Sequence, residues 1–532
     1  MFGRLKSTYI PQAVDRTPQN RQLLTMHIYN SVVSRFFFIF TVLFTSLVPQ
    51  TAMADGIDAA IDNAVQPLTD AISSFIFFAV KIGGTDVPLI VCWLIFAACF
   101  FTFYLGFINL RGFKHAVDIV RGKFTDPNHA GEISHFQALT AAVSGTVGIG
   151  NIGAVAITVS LGGPGAIFWV AMAGFVGMTT KFVECTLGVK YRQINADGSV
   201  SGGPMYYLRD GLKAKGMHGL GKFLGIFYAV SIIIGCLGIG NMFQSNQAYV
   251  QLLEATGGEV SILQNKGWLV GLIMAVMVAV IIIGGIKSIA RITSKLVPFM
   301  ILLYIIGALI VITLNAAELP RAISAIFAGA FSMQGATGGI LGIMIIGFQR
   351  AAFSNEAGLG SAAIAHSAVK TQTPLTEGFV SLLEPFIDTV VICTLTGLVL
   401  VTCFPTETLM GGGLSGIELT SAAFESKISW SPVPLSIAAF LFAFSTMLAW
   451  AYYGTKGWTF IFGEGKTKEL VFSLIFCLFI VIGASVQLSA ILDFADALIF
   501  VMAIPNLIGL YILAPEVKRD LQAYWTDKAK NF

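Results

Sequence analysis

The chain has 532 residues, 55% of them hydrophobic and only 11% charged, under half the ~25% charge of a soluble protein. Its 32 basic and 29 acidic side chains cannot cover the water-facing surface that several soluble domains of this length need, which excludes a soluble enzyme. The net charge of +3, with no basic cluster, gives nucleic acid no footing, and an all-α polytopic membrane protein fits instead, at about 20 residues per crossing.

The first 54 residues read as a cleavable signal peptide with a long n-region. Five Lys/Arg precede a short apolar core at 36–48, and Ala52-Met53-Ala54 follows as an A-x-A cleavage site. Residues 55–87 form an expected periplasmic interfacial segment. There Ile57, Ile61, Val65, Leu68, Ile72 and Ile76 recur at helical spacing. An uncleaved anchor helix is the alternative for the leader.

Eleven apolar runs follow, at about 88–109, 137–161, 164–189, 223–250, 267–286, 292–314, 337–365, 376–404, 432–455, 469–486 and 489–514. With the mature start outside and the connections assigned alternately, Lys and Arg divide twenty-one inside against four outside. That bias is what the positive-inside rule requires, and it leaves 515–532 as a cytoplasmic tail. The seven cysteines all fall in apolar runs without C-x-x-C spacing, as small buried hydrophobes do.

One internal echo stands out. Residues 148–154 (GIGNIGA) align with 358–364 (GLGSAAI) at an offset of 210, and at that offset Ser144 meets Ser354 and Pro164 meets Pro374. Five span starts lie between the copies, so they run in opposite directions. The halves 137–314 and 337–514 then form inverted five-helix repeats after an extra helix at 88–109, a secondary-transporter pattern with its site at the midplane. Gly-rich stretches at 144–153 and 353–362 interrupt the first helix of each half. Freed backbone must line a cavity, where half-helix N–H groups meet a carboxylate and freed carbonyls meet a cation. Small-residue helix packing is the bland alternative, but it gives no reason for Asn151, Asn355 and Glu356.

Other motifs fall away. Gly148-x-Gly150-x-x-Gly153 matches a dinucleotide fingerprint but lacks the preceding strand and the distal acid. The six histidines have no metal-ligand spacing. His366 lies five residues after Ser361, on another helical face, so the two do not form a nucleophile and its base.

The segments SGTVGIGNIGAVAITVSLGGPGAIFWV at 144–170, GGPMYYL at 202–208, GIGNMFQSNQ at 238–247 and FQRAAFSNEAGLGSAAIAHSAVK at 348–370 closely resemble the alanine or glycine:cation symporter family, the sodium/alanine symporters. The likeness covers about residues 88–515. It implies a LeuT-type five-plus-five inverted repeat with one extra N-terminal transmembrane helix, and cotransport of a small neutral amino acid with sodium. The 87 residues before it are longer than the usual family start.

Carried over residue by residue, the resemblance makes Asn151 a sodium ligand beside the substrate carboxylate. Carbonyls near Ser144 and Val147 face a second cation position, completed by the hydroxyls of Ser445 and Thr446; back-bonding within the helix is the ordinary alternative for that pair. Gly148, Gly150, Asn355 and Gly358 belong to the substrate-facing breaks, Gln244 meets the substrate, and Phe353 and Trp450 wall a pocket sized for alanine, glycine or serine. Neutral oxygens suit hard Na⁺, and no other cofactor is implied.

Intramembrane charges call for partners. Glu356 pairs with Arg350 or caps freed N–H groups, and Lys181 and Glu184, three apart, form a local pair. Glu384 and Asp388, four apart, line a proton or sodium path or satisfy the broken backbone. The expected function is sodium-coupled symport of alanine or glycine into the cell across a bacterial inner (plasma) membrane. The alternatives are proton-coupled symport, a passive channel and a non-transporting amino-acid sensor.

Overall fold

The structure is a computed structural model that describes residues 73–82, 85–124, 129–332, 339–411, 413–414, 416–486 and 488–530. The proposed leader at 1–54 and most of the segment 55–87 therefore lie outside the described residues. What is described of that segment holds a two-stranded antiparallel hairpin, Ala79–Ile82 on Thr85–Pro88.

Helices follow in chain order. They are α1 (Leu89–Tyr104), α2 (His135–Thr146), α3 (Gly153–Gly162), α4 (Ala166–Lys190), α5 (His218–Leu237), α6 (Phe243–Ala255), α7 (Gly267–Ile282) and α8 (Gly285–Leu314). The remainder are α9 (Gly339–Asn355), α10 (Ala362–His366), α11 (Pro374–Cys403), α12 (Pro432–Phe462), α13 (Lys466–Ser485) and α14 (Leu488–Lys530). Helix occupies most of each apolar run read from the sequence. Among the described residues seven helices are long and apolar enough to cross a membrane, eight if the bent pair α2–α3 counts once. Two helices differ from their runs. α1 stops at Tyr104, where Gly106 and Phe107 turn the chain at positive φ. α14 continues through Pro505 and Pro515, and its end docks on the rest of the chain as Lys190 pairs with Glu516 and Asp520.

Interior and exterior separate as a membrane requires. Phe96, Phe103, Phe299, Leu302 and Ile437 are exposed on outer faces, while the buried interior holds Lys181, Glu184, Glu377, Glu384 and Asp388. Buried charges are tolerated only where partners offset their desolvation.

Two helices break in the middle. A reciprocal cap starts α2: the Ser134 hydroxyl accepts from the Gln137 N–H at 3.3 Å, and the Gln137 side chain accepts from the Ser134 N–H at 3.1 Å. The helix ends at Thr146, Val147 and Gly148 run extended, and α3 leaves at 59° after one tight turn at Ile149–Asn151. The second break follows α9. Glu356, Gly358 and Gly360 adopt φ of 58°, 93° and 81° before α10 begins, the left-handed region in which glycine is unstrained.

α4 packs against α9, α10 and α11, and α12 packs against α2, α5 and α6. The breaks thus lie between continuous helices. Widened π-helical turns interrupt two of the neighbours, at Gly238–Met242 before α6 and at Phe386–Cys393 inside α11. Pro385, which has no N–H to give, precedes the second.

Candidate substrate and cation site

The first break supplies backbone donors and acceptors that no helix uses. The Gly148 N–H donates to the Asn151 side-chain oxygen at 2.9 Å, and the Ile149 N–H donates to Gln244 Oε1 at 3.1 Å. Gln244 is held from the other end by the Ile239 carbonyl at 3.0 Å, within the widened turn. Thr396 donates to the Asn151 carbonyl at 2.8 Å. Each of these groups is buried, so each bond also avoids the cost of an unpaired polar group in a dry interior.

Asn151 Nδ2 donates to the Asp388 carboxylate at 2.6 Å and to the Asp388 main-chain carbonyl at 3.0 Å. The other carboxylate oxygen accepts from Ser354 at 2.9 Å and Thr389 at 2.6 Å. Asn355 donates to Thr389 at 3.0 Å and caps the second break by accepting from the Ala357 N–H at 3.0 Å. Asp388 is thus the hub between the two breaks. Its hydrogen-bond partners are an amide and two hydroxyls, not a basic side chain.

The remaining sequence-named residues divide into two groups. Thr446 faces the break: a Cβ on Gly148 would lie 2.5 Å from its Oγ1 and 3.0 Å from Gln244 Oε1. The Thr446 hydroxyl is buried and has no hydrogen-bond partner among the described residues. Trp450 Nε1 donates to the Gly145 carbonyl at 3.2 Å, its ring lying on the bare backbone of Gly240. A Cβ on Gly150 would lie 3.7 Å from the Phe353 ring, which Phe243 meets edge-on at 5.4 Å.

Elsewhere, Ser144 and Ser445 bond back to Ala141 and Phe442 of their own helices at 2.7 and 3.0 Å. Val147 continues that pattern through its own N–H, given to Val143 at 2.7 Å. At Gly358 both backbone groups are taken by protein: its N–H by Glu184 at 3.0 Å, its carbonyl by Asn506 at 2.8 Å.

The charge pairs expected from sequence are corrected. Glu184 spends one oxygen on Gly358 and on Asn506 Nδ2, 2.7 Å away, so it does not pair with Lys181. Lys181 reaches across to Glu384 at 3.0 Å instead. Arg350 pairs with Asp496 at 2.8 Å rather than with Glu356, which accepts the Ser361 hydroxyl. Glu384 also faces His366 Nε2 at 3.5 Å, while Glu377 receives His366 Nδ1 at 2.6 Å and, on its other oxygen, His135. Thr389, Thr396 and the His135–Glu377–His366 group were not foreseen from the sequence, and Glu184 was foreseen only as a partner of Lys181, not as the acceptor at Gly358 and Asn506. Glu377 did carry a signal: with Glu384 and Asp388 it makes steps of seven and four, one stripe of a helix.

Residues 69–531 match the sodium:alanine symporter family. The chain belongs to that family. It is 39% identical over 442 residues to the sodium/alanine symporter AgcS of Methanococcus maripaludis, covering 82% of this chain and 94% of that one. It is 35% identical to the amino-acid carrier protein AlsT of Bacillus subtilis, over 79% and 86% of the two chains. Among solved structures, MhsT in complex with L-phenylalanine superposes with a TM-score of 0.51 at 16% identity, over 71% of this chain and 89% of that one. At that identity the likeness carries the fold, that of a LeuT-like transporter. A sodium:alanine symporter family member is a multi-pass membrane transporter and not an enzyme.

Proposed function

We propose that the protein is a secondary active transporter that carries alanine, glycine or a similarly small neutral amino acid into the cell with Na⁺, by alternating access. In this reading the chain makes eleven spans, with the extra helix 88–109 followed by two inverted five-helix repeats at 137–314 and 337–514. The mature N-terminus is periplasmic and the C-terminus cytoplasmic, in keeping with the Lys/Arg bias of the connections.

The observation that carries the proposal is Asp388. It is a fully buried carboxylate without a basic hydrogen-bond partner, placed beside the unwound Gly148–Asn151 backbone. An unneutralised carboxylate cannot remain in such a place, so a cation or a proton must accompany it. Hard oxygens of Asp388, Ser354 and Thr389 suit Na⁺. Asn151, a sodium ligand by the family resemblance, gives its amide nitrogen to Asp388 and its oxygen to Gly148, and it ligates the ion only once that amide turns its oxygen toward the carboxylate. The buried Thr446 hydroxyl without a protein partner is the oxygen expected of a second position, with Ser445 and carbonyls near Ser144 and Val147 completing it. The substrate carboxylate lies against Gly148 and Gly150, with Gln244 and Asn355 nearby; Gly358 serves from the second break through its neighbours. Phe353 and Trp450 leave room for a methyl group and little more. Relatives named for alanine support this choice of substrate.

Proton-coupled symport is the second reading, since the Asp388 observation admits H⁺ equally. Glu384 and Glu356 stay structural in both, the former tied to Lys181 and the latter to Ser361. The experiment is uptake of a panel of amino acids into proteoliposomes at fixed pH with sodium varied against choline. Alanine accumulation that follows sodium supports the proposal. Accumulation indifferent to sodium and driven by a pH gradient moves the assignment to protons, and equilibration without accumulation makes the protein a channel.

A further inference from the structure

The two broken helices end side by side on one face. α2 begins at His135 and α10 ends at His366, and the segments leading into the one and out of the other are bound together in three ways. First, they form a parallel bridge, with Ile133 opposite Val369. The Glu132 N–H donates to the Ala368 carbonyl at 2.7 Å, and the Lys370 N–H to the Ile133 carbonyl at 2.8 Å. Gly131 makes this approach possible: its φ is 143°, and a Cβ there would sit 2.2 Å from the Val369 oxygen.

Second, Arg192, two residues past the end of α4, spreads its guanidinium over four backbone carbonyls. It donates to Ser367 at 2.8 Å, to Thr371 at 2.7 Å, to Ala130 at 2.9 Å and to Val369. Three of these belong to the segment after α10 and one to the segment before α2. A planar fork of five donors that never loses its charge can hold such a set, whereas a lysine cannot. Third, Glu377 bridges His135 and His366, one oxygen to each.

These bonds join the half-helices at their ends remote from the Asn151–Asp388 centre, on the face that carries Lys190, Arg192 and Lys370. Alternating access requires that a path from the site to this face open once per cycle. From these contacts we infer that Arg192 is a positioning residue of a latch, in which the guanidinium, the Gly131 crossing and the Glu377 bridge hold this end of the path closed. The path opens when segment 130–133 parts from segment 367–371. The inference rests on the alternating-access reading and not on which solute is carried.

Cys393 provides a native reporter, its sulfur lying 3.3 Å from Asn151 Nδ2 and 3.4 Å from Ser354 Oγ. The full-length protein in oriented vesicles is exposed, without sodium, to a membrane-impermeant methanethiosulfonate from each face in turn, and modification at Cys393 is followed by peptide mass spectrometry. Arg192→Ala should raise the rate from the latch face by at least about tenfold, the scale of losing even one of its four charge-assisted hydrogen bonds, and leave the opposite face unchanged or slower. Gly131→Ala, which alters no charge, should do the same, and it decides the matter if Arg192→Ala is not recovered folded; Glu377→Gln is the third variant. Acceleration from both faces together means general loosening and overturns the latch, as does an unchanged rate in the variants. The measurement needs no substrate, so absent sodium-driven alanine uptake would sink the proposed symport while leaving the latch to its own test.

Discussion

At the scale of single residues, Asp388 and Gly148 bear most directly on function. Asp388→Asn keeps the shape of the side chain and two of its hydrogen-bonding partners, but removes the charge that a cation must neutralise. Sodium-stimulated alanine uptake should fall about a hundredfold, the scale of roughly 3 kcal/mol for a lost charged partner, with the protein still folded by size exclusion; uptake within a few-fold of the parent would remove Asp388 from the site. Gly148→Ala tests the other side of the break. Its new methyl would press on Thr446 at 2.5 Å and on Gln244 at 3.0 Å, an overpacking of about 1–3 kcal/mol. Transport should be lost while the thermal midpoint drops by only a few degrees. Both residues were visible in the sequence, Asp388 as a charge in an apolar run and Gly148 as part of a glycine cluster. Their partners were not, because Asn151 and Asp388 are 237 residues apart and meet only through tertiary packing.

At the scale of elements, positions in the chain were easier to read than pairings. The helices of the apolar runs and the two interruptions follow from hydropathy and from glycine, both local properties. The π-helical turn at Phe386–Cys393, which carries Asp388 and Thr389, leaves no local trace beyond Pro385. Lys181 illustrates the limit. Spacing on α4 alone points to Glu184, three residues on, yet Glu184 is claimed by the Gly358 N–H, and Lys181 crosses to Glu384 on α11. The pair is wholly buried, so removing one member strands the other charge. Lys181→Met should cost about 3–5 kcal/mol and lower the thermal midpoint accordingly. The double variant Lys181→Met, Glu384→Gln should cost less than the sum of the two single changes, because no charge is stranded. Additive losses would show that the two side chains do not act as a pair.

At the scale of the whole molecule, the quantity to explain is how much solute the protein can accumulate. Alanine carries no net charge, so the charge moved per cycle counts the sodium ions. One Na⁺ entering down a potential of 100 mV supplies about 2.3 kcal/mol, enough for roughly fiftyfold accumulation, and two ions square that to roughly two-thousandfold. The proposed site contains two cation positions of different make. One is built on the Asp388 carboxylate, the other on neutral oxygens around Thr446, whose hydroxyl has no partner among the described residues. With sodium equal on both sides and the potential clamped, the parent should therefore approach the two-ion limit in tightly sealed vesicles. Thr446→Val removes the hydroxyl at nearly constant volume and should lower the steady state toward the one-ion limit, while initial uptake stays measurable because the Asp388 position is intact. A parent that already stops at about fiftyfold, and a Thr446 variant that matches it, would mean that one ion drives transport and that the Thr446 hydroxyl has a different role.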